Sequence, residues 1–118
     1  MVADIARFDG AFIVWSYTIG HGRLLLRRTK SIVHATRVDI LFKNVALICL
    51  PMSFEDIRIE EVTFEEAKHF RIDTRWRNMK NRKFFRVSGE NWQGYIVAST
   101  VVWHEDYREY DAPSTLLE

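Results

Sequence analysis

Four histidines, one cysteine and several neighbouring carboxylates are the side chains here that could support acid–base, nucleophilic or metal chemistry. His21, His34, His69 and His104 form no H-x-H or H-E-x-x-H spacing, so no zinc centre is expected. Glu65 and His69 would share a helical face, but two ligands do not complete a site. The acid pairs Glu60-Glu61, Glu65-Glu66 and Glu105-Asp106 are sequence neighbours, which point to opposite faces of a strand, so a two-carboxylate site would need different elements. His104-Glu105-Asp106 is the best place for an acid–base or metal cluster, against a solvated strand end. Cys49 falls on the apolar face of an expected strand and reads as an inert, buried thiol. The sequence has no G-x-S-x-G, phosphate-binding glycine loop or dinucleotide fingerprint. No catalytic residue, metal or cofactor is assigned, and enzymatic activity is not the leading reading.

Charge is more informative than chemistry. The net charge of +1 hides four blocks: residues 1–50 carry seven basic and three acidic side chains, 51–70 two and six, 71–86 seven and one, and 87–118 one and six. The bland reading is mutual neutralisation across neighbouring strands, since like charges on one surface repel. The third block sets Arg71, Arg75, Arg77, Lys80, Arg82, Lys83 and Arg86 among Trp76, Phe84 and Phe85. Arginine in excess over lysine suits carboxylates of a partner protein. Cations with exposed rings also suit nucleic acid, through counterion release and stacking. The candidate partner-binding residues are therefore Arg71, Arg75, Trp76, Arg77, Lys80, Arg82 and Lys83.

The elements that must position these groups are mostly strands. Ala11 to Ile19 and Arg23 to Arg28 flank Gly20-His21-Gly22 and read as a hairpin, with Trp15, Tyr17, Leu24, Leu26 and Arg28 on one face. That register would lay Arg28 on the Trp15 ring. Thr36 to Pro51 reads as the central hairpin, turning at Lys43-Asn44 and pairing Phe42 with Val45, Ile40 with Leu47 and Val38 with Cys49. Arg37 and Asp39 then occupy its half-solvated face. Asp56 to Val62 is expected as an edge strand with outward charges. Thr63-Phe64-Glu65-Glu66 is a capping box opening a short helix to about Phe70. Lys83 to Ser88 is another strand. After a turn at Gly89-Glu90-Asn91, Trp92 to Trp103 is a strand long enough to need a bend, expected at Gly94. Residues 1–10 show no decisive period, and Arg71 to Arg82 reads as an irregular crossing or a continued helix.

The expectation is one mainly β (α+β) domain over residues 1–118. About seven mostly antiparallel strands would form a curled sheet, barrel or sandwich, with one short helix near 64–70 and an acidic, loose tail over 105–118. The strand number resembles that of pleckstrin-homology-like and other small barrels, a likeness of architecture that assigns no site. No apolar run is long enough to cross a membrane as a helix, no leader pattern opens the sequence, and a lone cysteine fits a reducing, cytoplasmic setting. The functional reading is a non-enzymatic binding or protein-interaction module. It would engage an acidic protein partner through segment 71–86 or self-associate as a homodimer. A small-ligand-binding barrel with activity at its mouth, and weak nucleic-acid binding, are the alternatives.

Overall fold

Alternating β-branched and aromatic residues carry most of this chain into strands in the computed structural model, which describes residues 3–68 and 81–117. The strands are β1 (Ala3–Thr18), β2 (Arg23–Arg28), β3 (Arg37–Lys43), β4 (Leu47–Cys49), β5 (Ser53–Val62), β6 (Lys83–Ser88), β7 (Gln93–Ala98) and β8 (Thr100–Asp106), with one short helix, α1 (Phe64–Ala67). All eight strands join one antiparallel sheet in the order β4-β7-β6-β5-β1-β2-β3-β8. The sheet is not closed. It curls until its ends adjoin, because Ser99 alone links β7 to β8, and the Ser99 amide donates to the Lys43 carbonyl at 2.9 Å.

The expected central hairpin does not form. Leu41 and Phe42 of β3 face Leu25 and Leu24 of β2 on one side and Val102 and Val101 of β8 on the other. Meanwhile β4 pairs with β7, as Leu47 with Val97 and Cys49 with Tyr95. Asn44 adopts φ 55°, a left-handed conformation that asparagine tolerates, and turns the chain from one partner strand to the other rather than back on itself. The apolar face of β3 is nonetheless as expected, since Val38, Ile40 and Phe42 lie in the main core. Cys49 is exposed, not buried, because β4 is an edge strand displaced from the face of β3.

The bend in the last strand falls at Ser99 rather than Gly94. Gly94 serves close packing instead: a Cβ there would lie 2.3 Å from the Cys49 carbonyl oxygen. A register shift in β1 between Val14 and Ser16 turns the Trp15 ring onto Arg27 instead of Arg28. β5 is an interior strand, since β1 extends to Ala3 and covers its other side, and its Glu60 is buried. The N-cap half of the expected box forms, with the Glu66 amide donating to Thr63 Oγ1 at 3.2 Å, while the Glu66 carboxylate accepts from the Thr63 hydroxyl, also at 3.2 Å.

The concave face holds the main core, led by Phe12, Leu24, Ile40, Phe42, Ile59 and Phe85. Outside it, Phe64 and Ala67 of α1 pack near Val62, Phe84 and Val97. Among the described residues no helix is long and apolar enough to cross a membrane.

Candidate functional site

Arg71, Arg75, Trp76, Arg77 and Lys80 lie outside the described residues, as does His69. Arg82 and Lys83 are described and engaged. Arg82 donates from Nε to the Asn44 carbonyl at 3.0 Å and from Nη2 to Asn44 Oδ1 at 2.9 Å, while Lys83 lies 3.5 Å from Glu61. Part of the acidic block beside them is also committed. Buried Glu60 is shared by Arg86 at 3.0 Å and Arg58 at 3.4 Å, and Glu65 pairs with Lys68 at 2.6 Å. The hydrogen bond to Glu60 holds the Arg86 pKa above its ordinary value, against the opposing effect of burial.

A buried charged cluster covers the outer face of β2, β3 and β8. Arg27 and Asp39 face each other across the β2–β3 ladder. Arg27 donates from Nε and Nη2 to the two Asp39 oxygens at 2.7 and 3.1 Å, while its guanidinium sits 4.4 Å from the Trp15 ring centroid. Arg37 lies on the other side of Asp39, at 3.7 Å, and binds Asp106 at 3.2 Å. Arg27, Arg37 and Asp39 are each at most 1% exposed. What buries them is the C-terminal segment, which the sequence suggested would be loose. Its carbonyls are the missing acceptors: Arg27 reaches Tyr110, and Arg37 reaches Glu109, Ala112 and Pro113, at 2.6–3.3 Å. Lys30 adds bonds to the Tyr107 carbonyl and Glu109. Burial acts to raise the Asp106 pKa. The Arg108 amide, the Arg37 guanidinium and nearby His104 together outweigh it and leave the pKa below its ordinary value.

Sequence reasoning missed this cluster because Arg37 and Asp39 seemed suited to a half-solvated face. Their partners come from β2, β8 and the tail. The His104-Glu105-Asp106 triplet is split by strand alternation: His104 approaches Asp106 at 3.8 Å on this face, while Glu105 turns to Thr36 and Arg28. Among the described residues no three His, Cys, Asp or Glu side chains gather as metal ligands would.

Two clefts at one end of the sheet meet at Asp56. The smaller, about 260 Å³, lies among Arg7, Phe8, Asp9, Arg58, Ser88 and Gly89. Its arginines are bound to Asp4, Arg58 at 2.8 Å and Arg7 at 3.8 Å. The larger, about 560 Å³, opens between the start of β5 and the β6–β7 turn and is lined by Phe54, Glu55, Asp56, Glu90, Asn91 and Trp92, with Pro51 and Ser53 at its edge. The Phe54 and Trp92 ring centroids are 4.2 Å apart. The Trp92 indole N–H donates to the Glu55 and Asp56 carbonyls at 2.9 and 3.2 Å, and the Gly89 amide closes the turn onto the Trp92 carbonyl. Only glycine fits at 89, since a Cβ would stand 2.0 Å from the indole nitrogen and 2.4 Å from the Glu55 carbonyl oxygen.

These features define a small antiparallel β domain with one buried ionic cluster, in which Arg37 Nε alone of the guanidinium nitrogens is left without a hydrogen bond among the described residues, and one open acidic cleft. No protein-family model matches the chain, and neither a curated protein nor a solved structure matches it significantly.

Proposed function

We propose that the chain is a non-enzymatic interaction module whose basic segment 71–86 engages an acidic partner protein. The supporting observation is the state of the neighbouring acidic block. Among the described residues Glu60, Glu61 and Glu65 of that block pair with Arg58, Arg86, Lys83 and Lys68, and the seven-to-one surplus of cations over acids in 71–86 is the charge this reading assigns to a partner. Arginine-rich composition favours carboxylates as the counter-charge. Self-association is the other form of this reading, supported by edge strand β4, which among the described residues pairs with β7 alone and exposes Ile48. A reducing, cytoplasmic setting belongs to the same proposal and rests on the single cysteine.

Fluorescence anisotropy at low salt tests it with a glutamate-rich peptide and a single-stranded oligonucleotide. The peptide is expected to bind, and replacing Arg75, Arg77 and Lys80 with Ser should weaken it at least fivefold. Tighter binding of the oligonucleotide would transfer the segment to nucleic acid. Peptide binding that ignores the triple substitution would refute the assignment.

A further inference from the structure

We propose that the cleft between the start of β5 and the β6–β7 turn holds an arginine side chain presented by a partner protein. Its volume of about 560 Å³ lies within the range of roughly 300–1,000 Å³ typical of small binding pockets. Three carboxylates, Glu55, Asp56 and Glu90, line it, and no lining residue is basic. Asp56 is partly used, accepting from the Gly10 amide at 2.8 Å. Glu55 and Glu90 are exposed and have no ion-pair partner among the described residues. Two unneutralised acids in one concavity repel until a cation enters.

The aromatic wall makes the choice of cation specific. Trp92 is fixed by two indole hydrogen bonds, by a tilted ring contact with Phe54 and by the absence of a side chain at Gly89, so it is ordered before any partner arrives. The same molecule shows what an indole and a carboxylate do together. Arg27 lies over Trp15 while its fork grips Asp39. The cleft repeats that pair of groups, Trp92 with Glu55 and Glu90, and lacks the guanidinium. An arginine fits both functions at once, stacking on a ring and donating to a carboxylate in its own plane. The inference is independent of segment 71–86, and its test leaves that segment intact.

The probe is an end-blocked glycine–arginine peptide, measured by calorimetry and tryptophan fluorescence at low salt. A peptide carrying neutral citrulline at each arginine is the control, and free arginine amide separates a peptide-borne side chain from a small-molecule ligand. Saturable binding of the arginine peptide is expected, at least tenfold tighter than either control. The Glu55→Gln/Glu90→Gln variant should lose at least tenfold affinity with an unchanged melting temperature, and Trp92→Phe should lose severalfold. Equal binding of the citrulline peptide, or full affinity in the double variant, would overturn the proposal. Free arginine amide binding as tightly would also overturn it, as would self-association that the double variant abolishes while the peptide fails to bind.

Discussion

The ionic cluster on β2–β3 and the cleft beside Trp92 use the same groups to opposite ends. In the first, an indole, carboxylates and two guanidiniums are assembled from four strands and a tail, and solvent is shut out. In the second, carboxylates line an open cleft beside a half-buried indole, with no cation among the lining residues. Burial explains the contrast. A buried charge is tolerated only where partners surround it, whereas an exposed carboxylate keeps its hydration and can wait. Charge buried among its partners holds structure together; charge left over in a rigid frame is what the proposed arginine recognition draws on.

Three changes break or sharpen this comparison. The largest effect is expected from Asp39→Ala, which leaves Arg27 and Arg37 buried without their shared carboxylate. A loss of roughly 3–5 kcal/mol should appear in urea denaturation, as for other severed buried pairs. Gly89→Ala comes next. The added methyl meets the Glu55 carbonyl and the Trp92 indole, so overpacking should cost about 1–3 kcal/mol and blue-shifted, ordered Trp92 emission should be lost. The smallest effect concerns Asp106. Its lowered pKa means that its contribution to stability is complete above about pH 4 and disappears as pH falls through the lower value it has in the fold. Hydrogen-exchange protection of the amides over 107–113 should fall in that acid range. Asp106→Asn should show little of this pH dependence.

Features that depend on near neighbours were legible in the sequence. Thr63 capping α1, the β6–β7 turn at Gly89 and the apolar set Val38, Ile40 and Phe42 all follow from short-range spacing. Pairing partners were not. Phe42 meets Val101 rather than Val45, a choice made by tertiary packing that no hairpin signal reveals. One register shift at Trp15 exchanged Arg28 for Arg27 and so concealed the ionic cluster. The pairing of β4 with β7 instead of β3 exposed Cys49. The cleft was hidden for another reason. Glu55 and Trp92 lie in segments far apart in sequence, and Gly89 read only as part of a turn, not as the place where the Trp92 indole packs.

Ser99, the single residue between β7 and β8, also dictates a sequence of events. Strands β3 and β4 are made early, yet their partners β8 and β7 are made last. A nascent chain ending at Ser88 therefore carries β3 with one side unpaired and β4 with no ladder at all. Such long-range pairing folds slowly, over milliseconds to seconds, and leaves strand edges open to other chains meanwhile. The final quarter of the sequence is thus the step on which folding waits.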